Sequence, residues 1–255
     1  MKKIPVIAII LLLALSLSLF TGCAKEKEKE ESAKTYIFAS DATWPPLEFV
    51  DNGVLTGFEV ELIPLIGEKA GAPMIVKNIP WDTIFAGLSN GAYDGVASGV
   101  TVTEERKAVM AFSTTILEAG QVVIIRTKDS AKYKGIEDLA GQKIGVQIGT
   151  TGDFALADYP VEKRAYDDIG LAIEDMLNGN VEAAVCDSLI ASDFVLANEN
   201  YKSRLSVAGE PFTKEDIAIA VRKNDTELLA LVNKGLEIAM ADGPFDALKK
   251  KWNLL

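Results

Sequence analysis

The sequence predicts an α/β fold divided into two lobes, on three observations. Short apolar runs alternate with amphipathic stretches from Tyr36 onward, the pattern of helices laid on a sheet. The β-α-β-α-β order of the first stretch recurs with new elements after Gln121. Two lobes of roughly 90 to 120 residues fit ordinary domain sizes better than one sheet of ten strands.

Tyr36 to Ser40 reads as the first strand, and Leu47 to Val50 and Val54 to Gly57 flank an Asp51-Asn52-Gly53 hairpin turn, because Asn-Gly tolerates the left-handed conformations such a turn needs. A helix from about Glu59 to Ala70 follows, with Val60, Ile63 and Ile66 at helical spacing and Gly71 past its end. Pro64 inside it predicts a later start or a kink. Met74 to Asn78 is a strand, Asp82 to Asn90 a helix and Asp94 to Ser98 a strand.

In the second half, Gln121 to Arg126 is an apolar strand, Ile136 to Ala140 a short helix and Lys143 to Val146 a strand. A helix opens at Thr151 and runs to Ala157. Val161 to Ala165 and Val181 to Cys186 are strands separated by a helix from about Asp168 to Leu177, and a helix covers Ser188 to Ala197. Ile217 to Val221 is a strand, Thr226 to Ala241 a helix capped by Asp225, and Pro244 opens a last helix ending near Trp252.

Composition narrows function by exclusion. The chain has 255 residues, 26 Lys+Arg against 37 Asp+Glu, two cysteines and no histidine. Without an imidazole there is no Ser-His-Asp or Cys-His nucleophile pair and no histidine-ligated zinc; no cofactor is expected. A net charge of −11 repels phosphate backbones, so nucleic acid is not an expected partner. With no group whose ordinary pKa lies between 5 and 8 in the body of the chain, ligand affinity should be flat over that range unless the site shifts a carboxylate or Cys186.

The first residues read as an export signal. Met1-Lys2-Lys3 is basic, Ile4 to Phe20 apolar, and Thr21-Gly22 places small residues before Cys23. This resembles a lipoprotein signal, in which cleavage after residue 22 leaves the Cys23 thiol to be acylated; an uncleaved anchor is the alternative, at the short limit for spanning. Residues 23–34, with the run KEKEKEESAK, read as a flexible charged tether, and either way the folded part lies outside the cytoplasmic membrane. Lipidation of Cys23 leaves Cys186 without an intramolecular partner, so the fold does not depend on a disulfide.

Sites in open α/β folds collect at the carboxyl ends of strands. After the first strand stand Asp41, Trp44 and Glu48 in a proline-stiffened loop, and Trp81 stands at a helix start after the next; two indoles suit a sandwiched side chain or serve as core anchors. After the strand ending at Ser98 come Gly99, Thr101 and the N-cap Thr103, with Arg106 one turn into a helix. A cation near the positive end of a helix is unfavourable, which suggests carboxylate recognition by the guanidinium fork, the alternative being a surface ion pair. Gln147, Gly149, Thr150 and Thr151 form a strand-to-helix turn with exposed N–H groups, an anion site by geometry without the Lys-Ser/Thr of a P-loop. Asp187 ends a strand and is a candidate helix cap.

Together these strand ends hold an arginine and a helix start for a carboxylate, an aspartate for an ammonium and aromatic walls, the inventory for an α-amino acid. Asp41-x-x-Trp-Pro-Pro-x-Glu-Phe, Gly57-Phe-Glu-Val-Glu-Leu, Ser98-Gly-Val-Thr-Val-Thr-Glu-Glu-Arg106, Gly149-Thr-Thr and Asp187 resemble the polar amino-acid-binding family of extracellular solute-binding proteins, which feed ATP-driven importers. The resemblance implies the type II periplasmic-binding-protein fold, with residues 35–117 plus 217–255 as lobe 1, 122–212 as lobe 2, and hinge crossings near 115–121 and 210–217. It implies that Arg106 forks the ligand carboxylate with Thr101 and Thr151 amides or hydroxyls, and that Asp187, the Gly99 carbonyl and Ser98 take the ammonium. Trp44 and Trp81 would pack on the side chain with Asp41 near its end, and Gln147, Thr150 and Cys186 would contribute from lobe 2. An ABC permease and, through Cys23, the membrane are the implied partners. The acids and indoles lean toward arginine or lysine, with glutamine or another neutral polar amino acid as the alternative. Some relatives of this fold are cyclohexadienyl dehydratases; Asp187 in the ammonium position favours a binder over such an enzyme.

Overall fold

A computed structural model describes residues 34–254; the export segment 1–22, Cys23 and the tether up to residue 33 lie outside the described residues. Two five-stranded sheets organise these residues. The first has the order β5 (Met74–Asn78), β1 (Tyr36–Ser40), β6 (Gly95–Val96), β15 (Ala220–Arg222), β7 (Met110–Phe112), and the second the order β11 (Glu162–Tyr166), β10 (Lys143–Gln147), β12 (Ala183–Asp187), β9 (Gln121–Arg126), β13 (Leu205–Ala208). In each sheet four strands run one way and a single strand, β15 in the first and β9 in the second, runs antiparallel between two of them. The chain passes between the sheets twice, and the two passages pair as a short antiparallel ladder, β8 (Leu117–Ala119) with β14 (Glu215–Ile217). This is the two-lobed α/β architecture expected.

Alternating side chains bury both faces of each sheet. Along β9, Val122 and Ile124 enter one apolar cluster while Val123 and Ile125 enter another, the period of two that a strand covered on both sides must show. In the first lobe, α1 (Phe58–Ala70) packs against α7 (Thr226–Ala241) on one face, and Trp81, Ile84 and Leu88 of α2 (Trp81–Asn90) cover the other. α1 starts at Phe58 and runs through Pro64, earlier than the proline led us to expect, because Phe58, Leu62, Ile63 and Ile66 are fully buried and packing outweighs one missing helical hydrogen bond.

The hairpin turn is present as expected, with Asn52 and Gly53 both at positive φ between β3 (Glu48–Asp51) and β4 (Val54–Thr56). Strands β2 (Thr43–Trp44), β7, β8 and β13 were not anticipated; they are two to four residues long, too short for alternation to register. The expected strand 94–98 is hydrogen-bonded as strand only at Gly95–Val96, and residues 97–103 instead lead into the cleft.

Candidate functional site

The strand ends of both sheets face each other across a cleft in which the lobes touch. Trp44, in the loop after β1, donates its indole N–H to the Gln147 side-chain carbonyl, and Gln147 Nε2 donates to Asp41 Oδ2 at 3.2 Å and to the Asp167 carbonyl at 3.1 Å. Thr101 and Thr151 hydroxyls lie 3.3 Å apart. Arg106 NH1 donates to the Thr101 carbonyl at 3.0 Å and NH2 reaches the Gly149 carbonyl at 3.4 Å. The structure thus brings Asp41, Trp44, Thr101 and Arg106 of one lobe against Gln147, Gly149 and Thr151 of the other.

Arg106 sits on α3 (Glu104–Val109), where Thr103 caps the helix by accepting from the Arg106 amide. Its guanidinium carbon lies 5.5 Å from the Trp81 ring centre and 5.1 Å from that of Phe85, and the residue is 9% exposed. That removes the surface-ion-pair alternative, for a buried guanidinium on aromatic faces is held in one orientation. Burial pushes its pKa down, and the carboxylates of Asp187, Glu215 and Glu105 offset part of that.

Asp187 ends β12 and precedes the helix Ser188–Ser192, yet its side chain makes no capping hydrogen bond, so the capping alternative falls. It is 3% exposed, and its Oδ1 is buried without a partner. Burial and then the charge of Glu215 raise its pKa to about 7, with the Gln121 amide and Arg106 among the opposing influences. Gln121, its register neighbour on β9, is fully buried and its Oε1 is also unpartnered. The orphaned Asp187 oxygen marks a place built for a donor.

Trp44 and Trp81 lie parallel within 13°, ring centres 6.3 Å apart, the spacing of an offset stack, and each also packs into an apolar cluster. Gly99, at φ 55°, passes so close that a Cβ there would stand 3.1 Å from the Trp44 ring. Ser98 accepts from the Asp41 amide at 2.9 Å and donates to Glu48 Oε1 at 3.0 Å. Glu48 has no exposed surface; it stands behind Ser98 rather than on the cleft wall. Its buried neighbour Glu59 accepts from the Gly99 amide at 3.2 Å, and burial raises both carboxyls, Glu59 to about 8 and Glu48 well above its usual range with Glu59 adding to the effect. Thr150 caps α4 (Thr151–Ala155) by accepting from the Asp153 amide and donates to the Gln147 carbonyl. Cys186 points into the core, and burial pushes its thiol pKa well up.

Sequence reasoning missed Gln121, Glu59 and Glu215. Glu215 Oε2 accepts from Thr101 Oγ1 at 2.8 Å and Thr151 Oγ1 at 2.7 Å. The available signal was weak: Gln121 and Glu215 begin strands beside the crossings, and Glu59 is an acid at an otherwise apolar helix face.

Residues 36–254 match the bacterial extracellular solute-binding proteins, family 3. The chain belongs to that family. This family-3 protein is 33% identical over 221 residues to the L-cystine-binding protein TcyJ of Escherichia coli (strain K12), covering 86% of the chain and 82% of the relative. It is similar to an ancestral arginine-binding protein solved with arginine, at TM-score 0.80 and 36% identity over 86% of this chain and 97% of that one. It also resembles an ancestral amino acid-binding protein described as a precursor of cyclohexadienyl dehydratase, at TM-score 0.78 and 32% identity over 86% and 95% of the two chains. Other relatives are named as histidine-binding and ABC-transporter arginine-binding proteins. Among the described residues no helix is long and apolar enough to cross a membrane.

Proposed function

We propose that this chain is the extracytoplasmic substrate-binding component of an amino-acid ABC importer and holds a cationic amino acid, arginine or lysine, between its lobes. One observation carries the reading: a buried Arg106 and a buried Asp187 with an orphaned oxygen, within electrostatic reach of each other, complement the two charges of an amino-acid zwitterion. Arg106 forks the carboxylate with the Thr101 and Thr151 amides, and Asp187 takes the ammonium with the Gly99 carbonyl. Trp44 and Trp81 clasp the side chain. Asp41 meets its distal cation, and the adjoining pocket of about 400 Å³, with Asp82, Asp167 and Asp168 on its wall, draws cations toward the cleft.

Residues 35–117 with 217–255 act as one body and 122–212 as the other, bending at 115–121 and 210–217. Contacts from Thr151 and Asp187 form only on closure, so ligand selects the closed form by differential affinity, and a permease reads that form. Acylated Cys23 holds the protein at the outer face of the cell membrane. A neutral polar guest such as cystine or glutamine is the second reading, favoured by the name of the Escherichia coli relative. The likeness to a dehydratase precursor raises an enzymatic alternative, against which stands Asp187: an aspartate orphaned among buried groups matches an ammonium, which cyclic acids such as prephenate lack. A thermal-shift and calorimetric screen of the twenty amino acids and cystine tests the reading. Saturable heat with arginine or lysine is expected, and conversion of prephenate or arogenate to an aromatic product would overturn it.

A further inference from the structure

Glu215 starts the strand β14 in the second passage between the lobes, where its backbone pairs with Ala119 of the first passage. It is 9% exposed. Its Oε1 is pinned by the Thr213 hydroxyl at 2.7 Å, which turns Oε2 toward the base of the cleft. There Oε2 receives the hydroxyls of Thr101 and Thr151, at 2.8 and 2.7 Å, and the Gln121 amide at 3.3 Å. Thr101 follows the first lobe's β6, and Thr151 opens α4 of the second.

We propose that Glu215 is a closure latch: a positioning residue on the hinge whose single carboxylate oxygen fastens a hydroxyl from each lobe when the cleft shuts. The proposal rests on the amino-acid-binding reading above and adds a division of labour to it. A threonine hydroxyl has one proton to donate. If Thr101 and Thr151 give theirs to Glu215, the hydroxyls have none for the ligand carboxylate, which is left to Arg106 and backbone amides. The latch bonds are charge-assisted and therefore stronger than bonds between neutral groups, and the one to Thr151 exists only while the lobes touch. Its energy opposes opening and does not affect the first encounter with ligand.

The test is stopped-flow binding of the best amino acid, followed by tryptophan fluorescence, on the full chain and on Glu215→Ala, Glu215→Gln, Thr151→Val and the Glu215→Ala/Thr151→Val pair. The expected result is an unchanged association rate and a dissociation rate raised about tenfold or more in Glu215→Ala. Glu215→Gln, which keeps an acceptor and guards against a folding defect, recovers part of it. Thr151→Val alone should raise the dissociation rate in the same direction, and the double variant no more than Glu215→Ala, since Glu215→Ala already removes the Glu215–Thr151 bond. Wild-type dissociation rates in Glu215→Ala, or effects of the two substitutions that multiply, would overturn the latch while leaving the binding reading intact. A wild-type chain that binds no amino acid would overturn the binding reading, and the latch with it.

Discussion

The indole N–H of Trp44 is hydrogen-bonded to the side-chain carbonyl of Gln147, so a residue after the first strand of one lobe is tied to the strand end of the other. The same Gln147 amide donates to Asp41. One side chain from the second lobe thus orients both the aromatic wall and the distal acid of the first. Gln147→Ala removes both ties, each worth about 1 kcal/mol or somewhat more for the charged partner. Calorimetry should show affinity falling about tenfold or more, and an unchanged constant would mean that these ties do not form in the bound state.

Arg106 is the group whose loss should cost most. Its removal leaves a ligand carboxylate buried without a partner, at about 3 to 5 kcal/mol, or roughly 100-fold or more in affinity. Arg106→Lys should recover little, because an ammonium cannot fork a carboxylate while lying on the Trp81 and Phe85 faces. A titration of Arg106→Ala giving wild-type affinity would refute the site.

If the guest is cationic as proposed, Asp41 should separate it from neutral amino acids. Asp41→Asn keeps the shape and removes the charge near Trp44 and Trp81, so arginine and lysine should weaken by about tenfold relative to glutamine. Equal losses for all three amino acids in competition binding would assign Asp41 to loop bracing instead.

Ligand affinity should depend on pH although the chain has no histidine. Asp187 must be ionised to hold an ammonium, and without ligand its pKa is raised to about 7. Protonation therefore competes with binding: affinity is constant above about pH 7 and weakens as pH falls below it, by at most tenfold per pH unit. Composition alone leaves the profile flat unless the site shifts a carboxylate, and burial beside Glu215 brings Asp187 into the range histidine usually occupies. Asp187→Asn should bind weakly at every pH and lose the dependence; a wild-type profile flat from pH 8 to 5 would contradict this.

Stability should run the other way. The Glu59 pKa is about 8 in the fold against 4.5 ordinarily, so the native state keeps a proton that the unfolded chain releases. The resulting stabilisation is complete below about pH 4.5 and is lost as pH rises through 8, at up to about 1.4 kcal/mol per pH unit. Glu59→Gln should melt higher than wild type at pH 8 and show a shallower gain on acidification. Identical melting profiles for the two proteins would show that Glu59 is ionised in the fold.

The sequence by itself determined most of the secondary structure and the cleft's principal groups. Turn and cap residues, apolar periodicity and strand ends are local signals, and Asn52-Gly53, Thr103 before α3 and Asp225 before α7 stand where those signals put them. Arg106, Asp187, Trp44 and Trp81 were legible because a strand end or helix start is where chemistry is exposed in an α/β fold. Only the tertiary structure decided what each of them touches. Glu48 looked like a wall residue until the fold buried it behind Ser98, and Asp187 stood between ammonium partner and helix cap until the fold left its oxygen unpartnered. Glu215 carried only the weak signal of its place beside a crossing: its meaning comes from Thr101 and Thr151, 114 and 64 residues away. Capping and periodicity are settled within a few residues of chain, whereas a pKa, an orphaned acceptor or a bond across a cleft depends on burial and long-range contact, which no local pattern encodes.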